Sequence, residues 1–241
     1  FLSLSKALDH AFVMLDEGVD IIDVGGESTR PGSEEVILEQ ELERVIPVIR
    51  ELVRSGVRVP ISIDTSKPEV MNIAVSEGAS IINDVWALRK NGALEMAAKL
   101  NVAICLMHMQ GSPNCMQVKP SYEDVVREII EFLKIRLNKA KKAGIKKEKL
   151  IIDPGFGFGK TDQHNIELLR RLSDISQLEY PLLVGLSRKR ILGSITGRNV
   201  GERVEAGIAA AMIAIFNGAK IIRTHDVRQT IDAIKVLSAV N

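Results

Sequence analysis

One unit recurs along the chain and limits the folds open to it: an amphipathic helix, a glycine near its end, then a short apolar run closed by a polar residue. Glu17-Gly18-Val19-Asp20 leads into Ile21-Ile22-Asp23-Val24-Gly25-Gly26, and Ser55-Gly56 into Val59-Pro60-Ile61-Ser62-Ile63-Asp64-Thr65. Glu77-Gly78-Ala79 leads into Ile81-Ile82-Asn83-Asp84-Val85, Ala143-Gly144 precedes Leu150-Ile151-Ile152-Asp153, and Asn217-Gly218-Ala219 precedes Ile221-Ile222-Arg223-Thr224-His225-Asp226. Glycine just past a helix supplies the left-handed stop. Residues 102–108 and 181–187 share the strand pattern without the glycine, which makes seven strands. Alternating helices and buried strands give a parallel sheet with helices outside.

Seven such strands in 241 residues point to an α/β (β/α)8 TIM barrel lacking one strand. Because residues 1–20 read as a helix, with Leu4, Leu8, Phe12 and Leu15 on one face, the missing strand is expected to be the first, upstream of Phe1. A doubly wound sheet is the other candidate, but it usually carries a G-x-G-x-x-G loop that this chain lacks. No linker or low-complexity segment interrupts residues 1–241, so a single domain is expected. Ser66-Lys67-Pro68-Glu69 and Ser121-Tyr122-Glu123-Asp124 read as capping boxes, Asp226 as the cap of the last helix, and Pro47 as a kink within residues 34–53.

Composition excludes several partners. Lys plus Arg (32) nearly cancels Asp plus Glu (31), so no global field invites nucleic acid, and the basic run at residues 139–149 reads as a solvated helix end. No apolar run approaches the ~20 residues of a membrane span. Residues 1–20 lack the cationic head of a signal peptide. Cys105 and Cys115 form neither a disulfide framework nor a metal spacing, and a cytoplasmic setting is expected.

In a parallel barrel every strand end opens on one face, so residues distant in sequence gather there. The earlier strands end in acceptors: Asp23, Asp64, Asn83 with Asp84, and Asp153. The last two end in cations: Ser187-Arg188-Lys189 and Arg223-Thr224-His225-Asp226. Carboxylates can each accept two parallel N–H bonds, which suits an aminopyrimidine edge, and Asn83 offers both a donor and an acceptor. Lysine and arginine at the final strands suit phosphate. The implied ligand is a donor-rich nitrogen heterocycle with an anionic tail. Gly25-Gly26-Glu27-Ser28-Thr29-Arg30-Pro31-Gly32-Ser33 reads as a lid over a second substrate. His108, at a strand end, is either a ligand or base, or a packed imidazole. Phe156, Phe158 and Trp86 either wall the pocket or pack the barrel top.

The residues Asp23-Val24-Gly25-Gly26-Glu27-Ser28-Thr29-Arg30-Pro31-Gly32, Ile63-Asp64-Thr65, Asn83-Asp84-Val85, Leu106-Met107-His108-Met109-Gln110-Gly111, Asp153-Pro154-Gly155-Phe156-Gly157-Phe158-Gly159-Lys160, Gly185-Leu186-Ser187-Arg188-Lys189 and Arg223-Thr224-His225-Asp226-Val227 resemble dihydropteroate synthase, in order, from about Asp16 to the C-terminus. The resemblance implies condensation of 6-hydroxymethyl-7,8-dihydropterin pyrophosphate with p-aminobenzoate. It implies pterin binding by Asp64, Asn83, Val85, Met107, Asp153, Phe158 and Lys189, and pyrophosphate binding by Arg223 and His225. Thr29, Arg30, Pro31 and Ser187 would meet p-aminobenzoate, and Asp64, Lys189, Arg223, His225 and Arg30 would carry the chemistry. It also implies Mg2+ as cofactor, with its ligand expected on the absent first strand, and a homodimer. Trp86-Ala87 departs from the glycine-containing turn common in the family after Asn-Asp-Val. The alternatives are a methyltetrahydrofolate–corrinoid methyltransferase, which has no need of the cationic end, and a non-catalytic barrel subunit.

Overall fold

The computed structural model describes residues 3–30 and 32–240. The chain divides into two compact units, residues 1–107 with 135–150, and residues 108–134 with 151–241.

In the first unit the recurring motif is realised as α1 (Leu4–Asp16), β1 (Ile22–Gly25), α2 (Leu38–Arg54), β2 (Ile61–Asp64), α3 (Pro68–Ser76), β3 (Ile81–Asp84), α4 (Ala93–Leu100) and β4 (Ala103–Met107). Strands β1 to β4 are parallel neighbours in sequence order, as crossover helices require. One register row, Val24–Ile63–Ile82–Ile104, is apolar, and its last three members have no exposed surface. Ile49 and Leu52 of α2 and Val70, Met71 and Ala74 of α3 are also fully covered. The next row, Gly25–Asp64–Asn83–Cys105, points to the opposite side of the sheet.

The second unit begins in the β4–α5 connection and takes the first half of α5 (Val125–Lys142), then β5 (Leu150–Asp153), α6 (Asp162–Arg170), α7 (Leu172–Ser176), β6 (Leu183–Val184), α8 (Arg190–Thr196), α9 (Val204–Phe216), β7 (Ile221–Ile222) and α10 (Val227–Val240). Ile152 bridges Leu182 in parallel, β6 pairs β7 in parallel, and the His108 N–H donates to the Asp153 carbonyl at 2.9 Å. The seven expected strands are present among the described residues, though β6 and β7 are only two residues long. The named strand ends at Val184, three residues before Ser187.

Several local expectations change. α2 starts at Leu38 rather than at residue 34, and the helix runs on through Pro47. Ser66 is not a cap: Lys67 is the N-cap of α3, because Pro68 takes the first helical position and forces an extended residue before it. At α5 the cap is Asp124, which accepts the Val126 and Arg127 N–H groups, while Glu128 reaches back to the N–H groups of Glu123 and Asp124. The Asp226 carboxylate is taken by Arg188 and Ser187 instead of the α10 amides. An unforeseen capping box joins Thr161 and His164 at α6. On α1 the apolar face is largely in solvent: Leu4 and Phe12 are exposed and only Ala11 is buried. Lys139, Lys141 and Lys142 crowd the last turn of α5, where the helix dipole favours cations. Among the described residues no helix is long and apolar enough to cross a membrane.

Candidate active site

In the first unit the site begins with the row Gly25–Asp64–Asn83 at the C-terminal ends of the strands. Pairing puts Asp64 and Asn83 side by side, and the Asn83 Nδ2 donates to Asp23 Oδ2 at 3.3 Å. Asn83 is buried and Asp64 half-buried. Glycine at position 25 keeps the space beside Asp64 open, since a Cβ there would come within 3.3 Å of the Asp64 Cβ. Val85 and Met107 are buried apolar residues at neighbouring strand ends.

Asp84 does not belong to this wall. Alternation along β3 turns it away from Asn83, and its carboxylate accepts the Ser66 hydroxyl at 2.5 Å and the Trp86 and Leu88 N–H groups at 2.9 and 2.7 Å. Burial pushes its pKa up against these bonds. The half-buried Trp86 ring has Arg89 and Lys90 over it, at 5.2 and 5.7 Å.

The loop expected to act as a lid is fixed at its root. Arg44 donates to the Gly26 carbonyl, and Lys67 bridges Glu27 at 2.5 Å and Glu41 at 2.6 Å. Glu41 is fully buried and also accepts the Thr65 hydroxyl at 2.5 Å. Beyond the root, Thr29 is half-buried and Arg30 exposed; Pro31 lies outside the described residues. Sequence reasoning missed Lys67 and Glu41, although an acid on the buried stripe of α2 was a usable signal.

In the second unit Asp153 ends β5 and is buried, with Oδ1 accepting the Gly155 N–H at 2.7 Å. Burial pushes its pKa up, while Lys189, Lys160 and Arg223 pull it down. Lys189 donates to the Phe156 carbonyl at 2.5 Å and lies 4.9 Å from the centre of the buried Phe158 ring. Burial lowers its pKa to about 8 against the opposing pull of Asp153. Gly157 leaves room for this lysine, since a Cβ would meet the Lys189 Cδ at 3.4 Å.

Ser187 ties the ends of β6 and β7 together. Its Oγ accepts the His225 N–H at 3.2 Å, lies 3.1 Å from His225 Nδ1, and donates to Asp226 at 3.3 Å. Arg223 and His225 are exposed. A cleft beside them is lined by Leu186, Ser187, Gly207, Ala211, Arg223 and Thr224. Arg188, expected among the anion-binding cations, is instead spent on Asp226 at 2.5 Å and held at φ +58°. His108 is a packed imidazole, buried edge-on against Phe132 with Nδ1 3.0 Å from the Lys160 Nζ. Phe156 is fully buried.

Among the described residues no three His, Cys, Asp or Glu side chains cluster as a metal cage. Mg2+ commonly takes only one or two carboxylates plus phosphate oxygens.

The pterin binding enzyme family matches residues 1–225. A dihydropteroate synthase of Haemophilus influenzae is 50% identical over 239 residues, covering 99% of this chain and 86% of that protein. A solved Xanthomonas albilineans dihydropteroate synthase with 4-aminobenzoic acid superposes with a TM-score of 0.94 at 48% identity, over 98% of this chain and 85% of that one. Another, in complex with 7,8-dihydropteroate, gives 0.90 at 45% identity, with the same coverage. These likenesses bear out the α/β barrel class expected from the recurring motif. The chain belongs to the dihydropteroate synthase family of pterin-binding enzymes.

Proposed function

We propose that the chain joins 6-hydroxymethyl-7,8-dihydropterin pyrophosphate to p-aminobenzoate, releasing pyrophosphate and 7,8-dihydropteroate. The observation that carries this reading is that, in the second unit, a buried carboxylate, Asp153, stands within the electrostatic reach of Lys189 and Arg223, an acid and an ammonium for a ring and a guanidinium for its tail. Asp64 and Asn83 supply the acceptor and donor pattern of the first unit. Neither a methyl transfer nor a non-catalytic role accounts for the cationic end.

In the reaction the bond from the pterin methylene to oxygen breaks, and its electron pair leaves with the pyrophosphate. Arg223 and His225 stabilise that anion, with Ser187 holding the His225 ring. Positive charge left on the methylene spreads into the ring, where Asp64 stabilises it, while Asp153, Lys189, Val85, Met107 and Phe158 bind the pterin. The aryl amine then forms the new C–N bond and releases its proton to water, placed by Thr29, Arg30, Pro31 and Ser187 rather than by a strong base.

Magnesium enters this proposal as a companion of the pyrophosphate, supported by the preference of that ion for phosphate oxygens. The family match across residues 1–225 supports reading residues 1–241 as one pterin-binding domain. Two cysteines that make no disulfide framework, Cys105 and Cys115, support a reducing, cytoplasmic setting. A homodimer is supported by α9, whose sequence is apolar on almost every side although Ile213 and Phe216 are exposed.

Pyrophosphate release assayed with each substrate alone and with both is the test. Release that requires both supports the proposal, and a chain that releases none with both present rules it out.

A further inference from the structure

Lys160 closes the β5–α6 loop, is fully buried, and has no part in the reaction as written. Its Nζ donates to the carbonyls of Gly155 at 2.8 Å and Phe158 at 3.1 Å, and lies 3.0 Å from His108 Nδ1. Two carbonyls accept from this amine and the imidazole nitrogen stands within hydrogen-bond reach, while burial pushes its pKa well down against the pull of Asp153. Burying a cation is costly where an apolar side chain would fill the same space, so what the bonds hold in place matters.

They hold a loop that is fixed mainly by side chains. Gly155, Gly157 and Gly159 have φ of +69°, +79° and +62°, so no regular ladder fixes the segment. Side chains do so instead. The five consecutive carbonyls from 155 to 159 each accept from one: Lys160 on Gly155 and Phe158, Lys189 on Phe156, Gln117 on Gly157, and Tyr122 on Gly159. The two carbonyls that Lys160 takes flank the groups that matter for the ring. The Gly155 N–H orients Asp153, the Phe156 carbonyl receives Lys189, and the Phe158 ring lies against the same ammonium.

We propose that Lys160 is a positioning residue for pterin recognition: by tying the Gly155 and Phe158 carbonyls to His108, it sets the direction of the Asp153 carboxylate and the Lys189 ammonium. The proposal rests on the function given above and adds a residue that touches no substrate.

Steady-state kinetics of the parent, Lys160→Met and Lys160→Gln, with calorimetric binding of 6-hydroxymethylpterin and hydrogen exchange of the loop amides, test it. Lys160→Met is expected to raise KM for the pterin substrate and weaken hydroxymethylpterin binding by about tenfold, the scale of one charge-assisted hydrogen bond. KM for p-aminobenzoate stays within about twofold, and the amides of residues 155–159 exchange faster. Lys160→Gln, which keeps donors, recovers part of the loss and replaces the Met variant if that one does not fold. Unchanged pterin binding in a folded variant, or equal losses for both substrates, overturns the proposal. A parent that binds hydroxymethylpterin but releases no pyrophosphate refutes the reaction instead, and the binding and exchange data still decide the role of Lys160.

Discussion

Lys189 is pulled two ways: Asp153 and the Phe156 carbonyl favour its ammonium, while burial and Arg223 oppose it, and the balance leaves its pKa at about 8. If the ammonium grips the pterin, kcat/KM for that substrate falls as pH rises through about 8. Lys189→Met should remove that alkaline limb and lower kcat/KM by about ten- to a hundredfold at neutral pH, the loss of one hydrogen bond from a charged donor. Stability gives an independent reading of the same pKa. An unfolded lysine titrates near ~10.4, so between about 8 and that value the unfolded chain binds more protons, and the folded state gains stability as pH rises. The difference in melting temperature, Lys189→Met minus parent, should therefore decline across that window. A flat difference would mean that the lysine is not perturbed. Asp64, Asn83, Asp153 and Arg223 could be singled out from sequence because each closes or directly follows an apolar run, whereas Lys189 came with Arg188 in one polar cluster and was set apart only by the family resemblance. Lys160 and Lys67 could not, because their partners are backbone carbonyls or residues on other elements, and no spacing encodes such contacts; for Glu41 the one signal was an acid on the buried stripe of α2.

Among the elements, strands were readable and helix starts were not, for a physical reason. A run such as Ile81-Ile82-Asn83-Asp84 declares itself by burial, whereas S-x-x-E records a spacing without saying where helical backbone begins. At Ser66 the following Pro68 settles that start, and the freed hydroxyl goes to Asp84. The turn after β3 depends on that aspartate. Ala87 and Leu88 both sit at positive φ, +51° and +57°, without being glycine, and Arg136 of α5 holds their carbonyls at 2.7 and 2.9 Å. Asp84→Ala leaves a hydroxyl and two N–H groups without their acceptor, and should cost about 2–5 kcal/mol in urea unfolding. Asp84→Asn, which keeps an oxygen, should cost less. Arg30 belongs to a different kind of element, a loop fixed at its root through Glu27 and Lys67 with its arginine in solvent. Arg30→Ala should lower kcat at least about tenfold while leaving pterin affinity within about twofold. Equal losses in stopped-flow binding and turnover would count against a role in placing the second substrate.

At the level of the whole molecule, α9 raises a question that the folded chain alone does not answer. Its sequence, from Val204 to Phe216, has a single charged side chain, Glu205. Ala210, Ala211 and Ala214 turn inward and are buried, yet Ile213 and Phe216 are 46% and 68% exposed, and Val236 and Val240 of α10 are exposed too. A helix apolar on every side is stable in water only when both faces are covered. A second copy of the chain is the simplest cover, because a twofold axis brings the same patch to itself. It also doubles the effect of any change there. Burying one phenylalanine is worth about 1.5–3 kcal/mol, so Phe216→Glu loses about 3–6 kcal/mol across a twofold contact, before the cost of two carboxylates is counted. That corresponds to at least about a hundredfold in dissociation constant. Light scattering at micromolar concentration should therefore find the parent dimeric and Phe216→Glu monomeric. Turnover per chain should be unchanged, because each residue given a role in the reaction comes from one chain. A variant that stays dimeric would place the contact on some other surface, and one that separates but loses turnover would mean that the second copy supports the reaction as well.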